Sequence, residues 1–191
     1  MLTAGNERFA SGKPERPNTD LDRVHSTGTN GQTPFATILS CADSRVPVET
    51  VFDRGVGDLF VVRVAGNVAD PGTLASVEYA AEHLGTRLIV VMGHTQCGAV
   101  KAAVDGAKLD GNLPSLIDRI QPAVDIIRRK HPDASGKKLL QEAIEENVHV
   151  QILRMSERSS TLRHMLEKHQ IEIAGAMYAL ETGRVKWLEQ K

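Results

Sequence analysis

Apolar positions fall along this chain in two rhythms. The short runs at 35–40 (FATILS), 59–64 (LFVVRV) and 87–92 (RLIVVM) are apolar at nearly every position and rich in β-branched residues. That pattern marks strands covered on both faces. Elsewhere the period lengthens to that of a helix. Leu74, Val77, Ala81 and Leu84 share one helical face behind Asp70-Pro71-Gly72-Thr73, which offers an N-cap and a proline for the first helical position. Gly85 can end that helix. Leu116, Ile120, Ala123 and Ile127 outline a second helix, which Pro122 is expected to kink or split. Leu140, Ile144, Val148 and Ile152 mark a third, and Leu162, Met165 and Leu166 a shorter one. Residues 171–180 and 184–188 read as two strands joined by the turn Glu181-Thr182-Gly183.

Residues 1–12 (MLTAGNERFASG) read as the end of an amphipathic helix, with Leu2 and Phe9 apolar and Gly12 as its stop. Residues 13–33 are rich in Pro, Asn, Thr and Gly with little apolar periodicity, and are expected to form a long surface loop. Strands alternating with helices predict an α/β fold. Its central sheet is mostly parallel and flanked by helices, with an antiparallel C-terminal hairpin at the edge. Nothing repeats and no composition break divides the chain, so 1–191 is expected to be one domain. In it, 1–33 is a helix remnant and arm, and 34–191 is the α/β core.

Composition narrows the function classes. The chain has 191 residues, with 23 Lys+Arg against 24 Asp+Glu and a formal charge of −1. Such a balance gives no electrostatic reason to seek nucleic acid or an anionic membrane. Apolar runs such as 88–92 (LIVVM) fall far short of the ~20 residues that span a bilayer. The first residues lack the basic and apolar regions of a signal peptide, so a cytoplasmic chain is expected, with a periplasmic or organellar one as the alternative if the N-terminus was trimmed. Two cysteines do not make a disulfide scaffold.

The chemistry gathers at strand ends. Cys41 is expected just past FATILS, and His94 and Cys97 just past RLIVVM-Gly93. In open α/β sheets, loops leaving the strands converge at that edge and bind ligands there. Two thiolates and an imidazole suit a borderline-soft ion, and three protein ligands leave a fourth position open for water. Zn²⁺ plus two thiolates is formally neutral and acidifies water less than a three-histidine site does, so neighbouring groups must help. Asp43 and Arg45 suit that task, because a carboxylate gripped by a guanidinium fork keeps both its charge and its orientation. Gly98, at an expected helix start, offers free N–H groups to an anion. Taken alone, the two cysteines are equally compatible with buried core thiols or with one disulfide. Arg128-Arg129-Lys130 and Lys137-Lys138 read as solvated faces. His25, His131, His149, His164 and His169 read as ordinary surface or core residues.

In combination, these motifs resemble those of the β-class carbonic anhydrases. The family's Cys-x-Asp-x-Arg and His-x-x-Cys signatures occur as CADSRV and GHTQCGAV. GDLFVVRVAGN (57–67) and SVEYA (76–80) lie between them at matching separations, and GAMYALETGRV (175–185) follows more loosely. The resemblance implies reversible hydration of CO₂ to bicarbonate and a proton by zinc-bound hydroxide. One Zn²⁺ per chain would sit on Cys41, His94 and Cys97, with Asp43 and Arg45 as the catalytic dyad. It also implies a homodimer, often paired into tetramers, with the active site at the dimer interface.

Other pocket positions carry over one by one. Gln32 matches a glutamine that plant-like members reach toward substrate across the interface. Phe60 and Tyr79 match apolar and phenolic walls, and Ala65 stands where those members have valine. His83 matches a histidine proposed as proton shuttle, for which a surface residue near a helix end is the alternative. A subgroup with Asp as fourth zinc ligand carries a tryptophan three residues before the first cysteine. Here that position is Ile38, and the single Trp is Trp187. The open, plant-like form is therefore expected, with Asp43 off the metal. Members usually begin with further helical residues that embrace the partner subunit. Two other functions stay in view: a carbonyl sulfide or carbon disulfide hydrolase on the same fold, and a non-catalytic CO₂-sensing or scaffold relative.

Overall fold

The structure, a computed structural model, describes residues 1–189; residues 190 and 191, the end of the expected domain, lie outside the described residues. Within them β1 (Ala36–Ser40), β2 (Leu59–Arg63), β3 (Leu88–His94), β4 (Glu172–Ala179) and β5 (Arg184–Trp187) form one sheet in the order β2-β1-β3-β4-β5. Strands β1 to β4 run parallel, and β5 returns antiparallel on β4. This is the mixed α/β sheet with an edge hairpin that the sequence pattern predicts.

Side-chain alternation divides the core between the two sheet faces. Ala36 and Ile38 of β1 with Val90 and Met92 of β3 face α1 (Leu2–Ala10) and α3 (Val48–Val51), meeting Leu2, Val48 and Val51. Leu39, Ile89, Val91 and Ile173 face the other way. They pack on α4 (Pro71–His83), α7 (Gly136–Arg158) and α8 (Ser160–Glu167) through Leu74, Val77, Val148, Met155 and Leu162. Every residue of β1 is buried, and burying each Ile or Leu there contributes about 1.5–3 kcal/mol. A third cluster lies beyond the strand ends, where α5 (Gly98–Asp105) and α6 (Leu113–Lys130) bring Val100, Ile120 and Val124 over Cys41 and Cys97.

Strand order fixes where a site can form. The chain leaves β1 to build β2 on one side, then returns to build β3 on the other. The loops after β1 and β3 therefore diverge from neighbouring strands and open a crevice at the carboxyl ends, the usual ligand position in open sheets.

Three expectations are corrected. The segment 13–33 is not all loop: it holds α2 (Leu21–Asn30), capped by Asp20, whose carboxylate accepts from the Arg23 N–H at 2.7 Å. This helix buries none of its residues, so it carries no core-facing stripe for a pattern to reveal. Helix α6 continues unbroken through Pro122, because Ile120, Ala123 and Val124 around the proline are wholly buried and packing holds the helix together. Strand β3 runs past Met92 to include His94, which pairs in register with Tyr178 of β4.

Candidate metal centre

The two ligand-bearing loops are built differently. After β1 the chain is pinned by Arg63 of β2, whose guanidinium donates to the Cys41 carbonyl at 3.1 Å and the Asp43 carbonyl at 2.7 Å. After β3 the Thr95 N–H donates to Tyr178 at 2.9 Å, Gln96 adopts a left-handed conformation (φ +57°), and Cys97 caps α5. The turn aims Cys97 back across the crevice. The ligating atoms of Cys41, His94 and Cys97 then lie within 4.8 Å of one another, and all three residues are buried.

Their chemistry fits a metal ion. His94 donates from Nδ1 to the Thr95 carbonyl at 2.9 Å, which leaves Nε2 as the lone-pair nitrogen. That Nε2 is buried and has no hydrogen-bond partner among the described residues, a rare and costly condition unless something else occupies the lone pair. The thiols show the same need. Cys97 donates toward Cys41, which favours the Cys41 thiolate against the cost of burial, and the Gly66 N–H adds to the effect. The shared proton pushes Cys97 the opposite way, reinforced by burial. Two thiolates so close cannot both ionise in an apolar cluster without a cation between them. A divalent ion on two sulfurs and one nitrogen meets both demands, and three ligands leave a coordination position open.

Asp43 and Arg45 lie beside this group. The Arg45 Nε donates to Oδ1 at 2.9 Å and Nη2 to Oδ2 at 2.7 Å, and the Arg45 backbone N–H adds a third bond to Oδ1 at 2.9 Å. This fork holds the Asp43 carboxyl far below the usual carboxylate range. Oδ2, with one donor only, is the oxygen turned toward the metal group, 3.9 Å from His94 Nε2.

The remaining sequence candidates fall in three places. Ala65 opens a 3₁₀ turn (Ala65–Asn67) beside Cys41, and Gly98 is the exposed first residue of α5. Phe60, Tyr79 and His83 form a row of rings along β2 and α4, with centroids 6.3 Å apart for Phe60–Tyr79 and 5.2 Å for Tyr79–His83. Gln32 is exposed between α2 and β1.

Sequence reasoning missed the supports. Gly66 donates its N–H to Cys41 Sγ at 3.3 Å. Only glycine suits that position, where φ is +71° and a Cβ would come within 2.6 Å of Ile120 Cδ1. Behind it, Asn147 Nδ2 donates to the Gly66 carbonyl at 2.9 Å, and Gln151 donates to Asn147 Oδ1 at 2.9 Å while accepting from the Ala69 N–H at 2.9 Å. The Asn147 and Gln151 pair at (i, i+4) inside an otherwise apolar helix face was the one available signal.

Fold and site together define a class: an α/β protein whose Cys–His–Cys group at its topological switch point could hold a metal ion. Comparison with known proteins narrows it. The family described as Carbonic anhydrase matches residues 36–185. The chain is 40% identical over 188 residues to Carbonic anhydrase 2 of Mycobacterium tuberculosis, covering 96% of this chain and 87% of that protein. It is 37% identical over 190 residues to the carbonic anhydrase of Mycolicibacterium smegmatis, covering 97% and 89%. Among solved structures it is similar to the β-carbonic anhydrase CcaA (TM-score 0.81, 28% identity, 98% and 93% of the two chains). It is also similar to a tetrameric β-carbonic anhydrase of the ascomycete Sordaria macrospora (TM-score 0.79, 25% identity, 97% and 93%). This chain belongs to the β-class carbonic anhydrase family.

Proposed function

We propose that this protein catalyses the reversible hydration of CO₂ to bicarbonate and a proton at a zinc ion held by Cys41, His94 and Cys97. The observation that carries the reading is the orphaned, buried Nε2 of His94 facing two thiols that cannot both ionise unaided. Zinc on such a donor set supplies Lewis acidity that makes water a nucleophile near neutral pH.

The chain's own residues do the rest. Asp43, fixed as a carboxylate by Arg45, keeps one uncommitted acceptor direction on Oδ2. Accepting a hydrogen bond there orients the attacking oxygen, so that its lone pair faces the carbon of CO₂. The Arg45 fork engages Asp43 in the dyad, which supports the open, plant-like form with Asp43 off the metal. CO₂ is apolar and linear, so Phe60, Ala65 and Tyr79 serve it as walls, and Gln32 and the free N–H groups at Gly98 suit the polar oxygens of the product. His83, beside Tyr79, is the group to pass the released proton to buffer.

The active assembly is a homodimer, paired or not into a tetramer. Helix α2 buries nothing within its own chain and leaves Leu21 and Val24 exposed, as a partner-covered arm does. The similar Sordaria protein is tetrameric. Stopped-flow CO₂ hydration by zinc-loaded protein, compared with carbonyl sulfide hydrolysis by the same sample, tests the reading. Hydration is expected to be far the faster. Carbonyl sulfide turnover that outpaces it would reassign the site to hydrolysis of sulfur analogues.

A further inference from the structure

We propose that Glu181, in the turn between β4 and β5, is a positioning residue for the metal centre, fixing from outside the backbone carbonyl on which His94 rests. The inference builds on the reading of Cys41, His94 and Cys97 as a zinc site.

His94 is oriented by one bond, from Nδ1 to the Thr95 carbonyl at 2.9 Å. Where that carbonyl points depends on what holds Thr95 and Gln96. The Thr95 N–H donates to the Tyr178 carbonyl at 2.9 Å. Its Oγ1 accepts the Leu180 N–H at 3.0 Å and donates to Glu181 Oε2 at 3.0 Å. The other Glu181 oxygen, Oε1, accepts from Gln96 Nε2 at 2.6 Å.

Both carboxylate oxygens are thus spent on the two residues that separate His94 from Cys97. Gln96 needs such an anchor, since its left-handed backbone (φ +57°) is disfavoured for a non-glycine residue. A released Gln96 would relax toward a right-handed conformation, rotating the Thr95–Gln96 peptide and with it the acceptor of the His94 proton. Charge on Glu181 strengthens both bonds, as ionised acceptors do. Glu181 is exposed and lies outside the metal-ligating group, so it reaches His94 through Thr95 and Gln96, while its charge is also felt by Arg45. Outer partners of this kind set ligand orientation and metal retention.

The test compares zinc-loaded wild type with Glu181→Ala, Glu181→Gln and Thr95→Val. Zinc release to excess chelator is timed, and solvent exchange of the His94 Nδ1–H is followed by NMR on protein with labelled histidine. In Glu181→Ala, release is expected to quicken about three- to tenfold, below the ~10–100-fold carried by direct partners of metal ligands. Nδ1–H exchange should quicken with it. Glu181→Gln, which keeps one acceptor oxygen, should fall between, and Thr95→Val should follow Glu181→Ala. Melting temperature should stay within about 2 °C, as fits an exposed side chain. Unchanged release, or faster release with the Nδ1–H exchange unmoved, would overturn the positioning role while leaving the zinc site intact. A wild type that takes up no zinc would overturn the metal reading and this inference with it.

Discussion

Asn147, wholly buried in the middle of α7, donates its side-chain amide to the carbonyl of Gly66, 81 residues earlier, at 2.9 Å. The same peptide turn offers the Gly66 N–H to the Cys41 sulfur at 3.3 Å. A helix on one sheet face thereby sets the hydrogen-bond environment of a ligand at the sheet's end, and the polar pair Asn147–Gln151 earns its place in an apolar core.

Asn147→Ala should destabilise the fold by about 1–3 kcal/mol, the cost of one buried unsatisfied group. The substitution strands the buried Gly66 carbonyl, while the Gln151 amide loses Asn147 Oδ1 and keeps the Arg119 carbonyl at 3.1 Å. Urea unfolding monitored by circular dichroism measures the loss. A change under 0.5 kcal/mol would show that water or a shifted side chain replaces these bonds.

Asp53 gives the acid limb of stability a specific cause. Burial raises its pKa, but the Glu15 and Arg16 N–H groups, at 3.0 and 2.8 Å, and Arg8, at 2.6 Å, outweigh that cost and leave it lowered. A depressed carboxyl stabilises fully above its unfolded pKa of about 3.9 and loses that contribution as pH falls toward the folded value. Asp53→Asn should therefore be less stable by about 1–3 kcal/mol near neutrality. The gap should narrow below pH ~4. Melting temperatures across pH 3–8 would read it, and a gap constant over that range would refute the assignment.

Asp43→Asn should keep zinc and lose turnover. An amide can turn its NH₂ toward the reacting oxygen and no longer guarantees an acceptor there, so hydration should drop by about 10²-fold, the usual scale for such a group. Metal content should stay at the wild-type level. Loss of zinc in this variant would instead make Asp43 a ligand.

Pro122→Ala should raise stability by about 1–3 kcal/mol. The proline sits inside continuous α6 and removes a helical N–H donor. Thermal unfolding measures it. A destabilised variant would mean that the proline ring packs better than alanine in that turn.

How much could be read from the sequence depends on the range of the interaction. β1, β2 and β3 each appear as an unbroken apolar run, and the Asp70 cap of α4 is fully local: Asp70 accepts from the Thr73 N–H at 2.9 Å and Thr73 Oγ1 accepts from the Asp70 N–H at 2.9 Å. The candidate ligands Cys41, His94 and Cys97 were legible because strand ends gather them in short motifs. α2 was missed since its apolar residues, Leu21 and Val24, are exposed and mark no core-facing stripe. Pro122 misled because local backbone chemistry forecasts a break that buried neighbours prevent. Arg63, Gly66, Asn147 and Glu181 stayed hidden for one reason. Each meets the metal loops only through folding, across 20 to 86 residues, and no local pattern records such a meeting.

The most direct measurement is stopped-flow CO₂ hydration as a function of pH, on zinc-loaded wild type beside Cys97→Ser. The account predicts fast hydration in the wild type, rising through a single ionisation near neutrality, with zinc and activity both lost in the variant. No hydration at any pH by wild type that holds its zinc, or undiminished zinc and activity in Cys97→Ser, would contradict it.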